Sequence, residues 1–390
     1  MKFGKIVTLA AAMAMAGVAG ASADTVKVAL IASMTGPFAT SGEQIVAGAK
    51  LWIADHGDTV AGQKIELIVK DDGSNPDNAK RLAQEAVVND GAKVLMGFDL
   101  TPIALAVGPI ATQAKVPAII TLAGTSIITE KSPYFVRTSF TLPQSAVIIG
   151  DWAAKNGIKS VVTLVADYAP GHDAEKAFIE RFKAGGGTVI ESLAAPLANP
   201  DYAPFLQRAA DDKPDAVFLF VPVSQGAIVM KQFVERGLDK SGMKLIGTGD
   251  VTDDLALNSM GDAAIGVVTA HNYSAAHPSD MNKKFVQEYE AANNGDRPDF
   301  VAVHTYDGMH LLYAALEKTG GDTNGDKLVD AMKGVSFESP RGPITIDPDT
   351  RDIIQNIYVR KVERGPDGQL YNMEFETFEN VKDPVKANGG

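Results

Sequence analysis

Short β-branched runs alternate with amphipathic stretches along nearly the whole chain, and this rhythm limits the possible fold more than any other feature. Val26 to Ala32 (VKVALIA), Lys64 to Lys70 (KIELIVK), Val94 to Gly97 and Ala118 to Leu122 are apolar without helical periodicity and read as strands. Helical stretches lie between them. One runs from Ser41, three residues before Gln44 in capping-box spacing, to about His56. Another starts at Asn75-Pro76, a cap followed by proline in the first turn, and ends at Asp90-Gly91. Strands buried on both faces and joined by helices predict a parallel sheet with helices on either side.

The rhythm restarts after Phe140. Ser160 to Ala166, Thr188 to Ser192, Ala216 to Val221 and Lys244 to Gly247 read as strands, with helices at about Asp173 to Ala184, Tyr202 to Ala210 and Gln225 to Arg236. Two further helices fall at about Ser279 to Ala292 and Asp299 to Lys318. The expected fold is therefore α/β, with two doubly wound parallel-sheet lobes. No strict sequence repeat links the halves.

The N-terminus reads as an address. Lys2 and Lys5 precede an apolar run from Ile6 to Ala19, and Ala21-Ser22-Ala23 offers a small-x-small cleavage site before Asp24. These parts in this order predict a secretory signal peptide over residues 1–23. The run is well short of the ~20 residues that span a bilayer, so no membrane anchor is expected. The chain has no cysteine, which excludes a lipid-anchored form, disulfides and thiolate chemistry. With 48 acidic and 36 basic residues the formal charge is −12, against nucleic acid as a partner.

Catalytic signatures are absent. The six histidines are scattered, and neither HExxH, GxSxG nor a phosphate-loop GxxxxGK[ST] occurs. Gly185-Gly186-Gly187 follows a helix and reads as a stop. Asp322-Thr323-Asn324-Gly325-Asp326 resembles the start of a calcium loop. Lys327 and Lys333, however, occupy the positions that need glycine and glutamate, so a capped turn before a helix is expected. No metal and no cofactor is expected.

In wound sheets, ligands sit at the carboxyl ends of strands. Two hydroxyl-bearing loops occur there: Phe98 to Pro102, with Thr101, and Thr121 to Ser126, with Thr125. A threonine hydroxyl beside free N–H groups at a helix start forms a neutral anion site. The other reading is that both threonines only cap their helices.

The segments VALIASMTGPFATSGEQIVAGAKL, IELIVKDDGSNPDNAKRLAQEAVVNDGAKVLMG and VPAIITLAGTS, continued by DAVFLFVPVSQGAIVMKQF, GDAAIGVVTAHNYS and SPRGPITID, closely resemble the Leu/Ile/Val-binding protein family. These are extracytoplasmic solute-binding proteins of ABC importers, with the type 1 periplasmic binding protein fold. The resemblance implies a periplasmic monomer that is not an enzyme, holds a small carboxylate between two lobes and meets a permease transiently. It places three crossings near Phe140-Thr141, Ala270-His271 and Ile354-Gln355. Lobe 1 would be 24–140 with 271–354, lobe 2 would be 141–270 with 355–380, and 381–390 a C-terminal tail.

The same resemblance puts the carboxylate clamp on Thr101 and Thr125, with the Ala123 carbonyl near the ligand's amino group. Where amino-acid binders carry a glutamate, this chain has Gly249, followed by Asp250. An ammonium buried without a charge partner costs several kcal/mol. Either Asp250 replaces the glutamate or the ligand has no amino group. Ser41 and Pro222 stand at aromatic positions of amino-acid binders, and Tyr168, Asp250 and Phe300 are expected to close the second side. The GTGD loop and the stretch His271 to Ser279 resemble relatives that bind aromatic acids. An aromatic acid is therefore the leading expectation, followed by a branched-chain amino acid. A ligand-sensing receptor and a secreted hydrolase using Asp99 and Asp250 are the other readings.

Overall fold

The computed structural model describes residues 25–223 and 225–387. The expected signal peptide and residues 388–390 lie outside them. Two sheets organise the chain. The first, in order β2-β3-β1-β4-β5-β6, holds β1 (Thr25–Ala32), β2 (Thr59–Val60), β3 (Gln63–Asp71), β4 (Val94–Gly97), β5 (Ala118–Ile120) and β6 (Phe135–Arg137). All neighbours are parallel except the short edge strand β2. The second has a parallel centre of β7 (Ser160–Ala166), β8 (Thr188–Ala195), β9 (Ala216–Phe220), β10 (Lys244–Thr248) and β11 (Val268–His271).

That second sheet is mixed. It continues through β12 (Ser336–Ser339), β13 (Gly342–Ile346), β14 (Ile353–Arg364) and β15 (Leu370–Val381), all paired antiparallel. The parallel winding expected from the strand–helix rhythm is present in both sheets, and the second adds an antiparallel edge. From β12 onward the strands follow one another without crossover helices, so hairpin pairing is the connection the chain can make.

Helices cover the sheets: α1 (Ala39–His56), α2 (Pro76–Val88), α3 (Thr101–Ala114), α4 (Leu142–Lys155), α5 (Ala169–Ala184), α6 (Ala203–Asp211), α7 (Gly226–Glu235), α8 (Asp280–Ala292), α9 (Phe300–Thr319) and α10 (Gly325–Met332). Local signals place several ends. Asn75 accepts from the N–H groups of Asp77 and Asn78 at the start of α2, and α5 stops at the Gly185 cap. Asn324 caps α10 through Lys327 N, and Lys327 Nζ pairs with Asp322 at 2.6 Å. The calcium-like segment is thus a capped turn. Ser41 does not cap α1. The helix begins at Ala39, Ser41 is buried inside it, and Gln44 Oε1 instead accepts from Asp299 N at 3.3 Å.

Between the sheets, separated chain segments meet in a polar knot. Asn272 Nδ2 donates to Gln355 Oε1 at 2.8 Å and to Ser139 O at 3.4 Å. Buried Arg341 reaches Thr138 O at 2.6 Å, Asp307 Oδ2 at 2.7 Å and Gln355. β14 changes neighbours at this level: Ile353 to Gln355 pair with β13, and Tyr358 to Lys361 pair with β11. Ile353 packs in the core of the first lobe and Ile357 in the cluster shared with the second. Among the described residues no helix is long and apolar enough to cross a membrane, and no His/Cys/Asp/Glu group is arranged to hold a metal.

Candidate functional site: an interlobe cleft

Pairing of β4 with β5 sets the loops at their carboxyl ends side by side. Ala123 N donates to Phe98 O and Thr121 N to Gly97 O, both at 3.0 Å. Phe98 has φ +69°, a left-handed conformation that costs a bulky residue about 1–3 kcal/mol and is held by these bonds. Asp99 and Thr101 follow it directly.

The hydroxyls of Thr101 and Thr125 meet at 2.8 Å. Neither caps a helix: no side chain caps the start of α3 at Leu100, nor does Thr125 cap the short 3-10 helix Ser126–Glu130. The capping reading is therefore set aside. The uncapped N-terminus of α3 retains its dipole beside the hydroxyl pair, an arrangement that favours an anion.

Arg137, fully buried, braces this loop from behind. It donates to Thr125 O and Phe140 O, each at 2.7 Å, and to Ala123 O at 3.2 Å, while its Nε lies 2.8 Å from Asp352 Oδ1. The Ala123 carbonyl is thus already bonded to a guanidinium.

The facing wall comes from carboxyl ends of the second sheet. Tyr168 follows β7, Pro222 follows β9 and Asp250 follows β10. With Ser41, Thr101 and Ala123 they line one cleft. Thr125 adjoins it through Thr101. Phe300 does not line it, a correction to the sequence expectation. As the first residue of α9 it packs behind Phe140, edge to face at 5.8 Å, and against the His271 ring at 4.3 Å.

Sequence reasoning missed the remaining apolar lining, which includes Phe38, Phe140, Leu142, Pro170 and Phe220. Phe220 ends β9, so the carboxyl-end rule pointed to it. Phe38 lies one helical turn before Ser41, and no local signal separates it from a core residue. Tyr168 and Phe220 stack with ring centroids 6.1 Å apart. The small residues Ser41 and Pro222 line the same cleft as these aromatic rings.

Gly249 leaves no room for a side chain. A Cβ there would lie 2.0 Å from His271 Cδ2, closer than any side chain tolerates. His271 is itself fully buried, and Arg360 behind it bonds the Gly249 carbonyl at 3.1 Å. Burial, reinforced by Arg360, pushes the imidazole well below its usual range and keeps it neutral.

Two carboxyls line the cleft, Asp99 from the first lobe and Asp250 from the second. Burial pushes Asp99 up to about 7, aided by the charge of Asp72 and opposed by Ser33. Burial likewise pushes Asp250 up to about 7, opposed by Thr248 and Arg360. Beside the cleft, Ser126 N of the first lobe donates to Asp173 Oδ2 of α5 at 2.9 Å, a bond from one lobe to the other.

Two wound α/β lobes that close on a shared cleft, with an anion-favouring loop on one side and aromatic faces on the other, define a receptor for a small solute. The chain belongs to the periplasmic binding protein family, whose model matches residues 25–369. It is similar to Leu/Ile/Val-binding protein homolog 6 of Brucella suis biovar 1, 43% identical and covering 97% of this chain and 98% of that one. A solute-binding protein of an ABC transporter from Rhodopseudomonas palustris BisB5, solved in complex with 3,4-dihydroxy benzoic acid, is 66% identical. The TM-score is 0.92, with 93% of this chain and 99% of that one covered. Another from R. palustris, in complex with 4-hydroxybenzoate, is 41% identical at a TM-score of 0.90, covering 94% and 100%. This is an ABC transporter solute-binding protein with the type 1 periplasmic fold, not an enzyme, and the hydrolase reading of Asp99 and Asp250 falls with that.

Proposed function

We propose that the protein captures a small aromatic carboxylate in the periplasm and delivers it to an inner-membrane ABC permease. One observation carries this reading: Gly249, at the position where amino-acid-binding relatives carry a glutamate, is packed against His271 with no room for a side chain. Leaving an ammonium there without a full charge partner costs several kcal/mol, more than the apolar walls recover from a side chain of leucine size, about 1.5–3 kcal/mol. Aromatic faces at Phe38, Tyr168 and Phe220 favour a flat ring. The ligands of the two R. palustris proteins support the same class.

In this reading the carboxylate rests on Thr101, Thr125 and the N-terminus of α3, while Ala123, Ser41, Tyr168, Pro222 and Asp250 enclose the ring. Hinge closure about the crossings near Phe140-Thr141, Ala270-His271 and Ile354-Gln355 completes the site, and the second-lobe contacts shift the population towards the closed state. Residues 1–23 direct export and are removed, and the mature chain acts as a monomer.

Thermal-shift and calorimetric titration with benzoate, hydroxybenzoates, leucine, isoleucine and valine tests the assignment. Stabilisation by the aromatic acids alone is expected. Stabilisation by leucine or valine without benzoate-type acids overturns it.

A further inference from the structure

We propose that Asp250, together with Asp99 on the opposite lobe, selects aromatic acids that carry a ring hydroxyl over those that do not. This rests on the aromatic-carboxylate reading and adds to it the feature of the ring that is recognised. Both residues line the cleft and are almost wholly buried, 4% and 5% exposed. Asp99 Oδ2 accepts from Ser33 N at 3.2 Å, but its Oδ1 has no hydrogen-bond partner among the described residues. Asp250 Oδ2 has none either among the described residues. Each lobe therefore contributes to the cleft lining one buried carboxyl with an unmatched oxygen, in walls that are otherwise largely apolar.

Such an oxygen is expensive unless the ligand pairs it, about 1–3 kcal/mol for a neutral group and more for a charged one. Among the described residues no cation pairs with either oxygen. The nearest ring nitrogen, His271 Nε2, lies 3.9 Å from Asp250 Oδ2. A ligand ammonium has three N–H groups to satisfy, whereas a hydroxyl has one. The second acceptor an ammonium would use, Ala123 O, is held by Arg137 at 3.2 Å and Ser139 at 3.4 Å. A guanidinium bonded to that carbonyl repels a second cation at the same oxygen. A phenolic hydroxyl meets neither obstacle, and two adjacent hydroxyls match two acceptors.

The test is calorimetry on the mature chain with benzoate, 4-hydroxybenzoate and 3,4-dihydroxybenzoate, with leucine as control, for the wild type and for Asp250→Leu and Asp99→Leu. The wild type is expected to bind a hydroxylated acid at least about tenfold more tightly than benzoate, because unpaired acceptors reject the analogue that lacks the donor. Asp250→Leu is expected to erase that preference while still binding benzoate. Equal wild-type affinity for benzoate and the hydroxylated acids overturns the proposal without any variant, and leaves the aromatic reading standing. So does a folded Asp250→Leu protein that keeps full discrimination. Binding of leucine with none of the aromatic acids overturns the parent reading, and this proposal with it.

Discussion

Thr101 Oγ1 and Thr125 Oγ1 lie 2.8 Å apart, although 24 residues of chain separate them. The pairing of β4 with β5 and the guanidinium of Arg137 hold the two loops in this relation. In the proposed reading, a carboxylate at this point receives a hydroxyl hydrogen together with the dipole of α3. Replacing either threonine by valine keeps the shape and removes the hydroxyl. Hydrogen bonds to charged groups contribute about 1.5–3 kcal/mol, so each change is expected to weaken ligand binding by about 10- to 100-fold. Calorimetry reads the affinity, and an unaltered melting temperature of the unliganded protein shows that the fold is intact.

Gly249→Ala places a Cβ on the His271 ring. Because backbone and ring are both buried, neither yields freely, and a loss of about 1–3 kcal/mol in denaturant unfolding is expected. Adding His271→Gly to Gly249→Ala removes both the ring and the His271 Cβ, which lies 2.3 Å from the new methyl, and is expected to relieve the clash. The double variant should then cost less than the two single changes summed, which a double-mutant cycle measures.

The pH dependence follows from the raised Asp250 carboxyl. In the unfolded chain it ionises near 3.8, and in the folded protein near 7. Below about pH 4 it is protonated in both states and contributes no pH dependence. Between about 4 and 7 folding takes up a proton, so this group's contribution makes the native state progressively less stable as pH rises. Above about 7 the penalty is complete and constant. Asp99 behaves alike. The buried histidines His271 and His304 are displaced downward and act in the opposite sense in acid, so total stability blends both effects. The difference between wild type and Asp250→Asn isolates the carboxyl. Unfolding free energies from pH 4.5 to 8 are expected to show the variant gaining on the wild type as pH rises.

The bond from Ser126 N to Asp173 Oδ2 joins the lobes outside the ligand-lining set. Asp173→Ala is expected to shift the population towards the open form and to raise the ligand off-rate about 3- to 10-fold, with a smaller effect on the on-rate. Stopped-flow fluorescence measures the rates, and small-angle scattering of the unliganded variant reports the more open shape.

Much of the architecture was legible because its signals are local. Asn75 before Pro76, Asn324 before Gly325 and the glycines after Ala184 mark helix ends through the chain's own backbone groups. The strand cores from Val26, Ser160 and Ala216 follow from β-branched composition, and Thr101 and Thr125 from the rule that ligands gather where parallel strands end. Ser41 shows the limit of such signals. Its spacing to Gln44 satisfied a capping box, but Gln44 is bonded to Asp299, 255 residues away.

What the amino-acid order determined alone, therefore, was most of the alternation of strands and helices through β10, the two-lobed class and the position of the loops that carry Thr101 and Thr125. Only the tertiary structure decided that the second sheet is mixed, that Phe300 stands behind Phe140 and that Phe38 and Phe220 wall the cleft. It also decided that Gly249 is closed by His271 and that Asp99 and Asp250 lose their solvent. The reason is one of range. Helix caps and strand propensity act within a few residues, whereas burial, desolvation and steric closure depend on which distant segments the two sheets bring into contact.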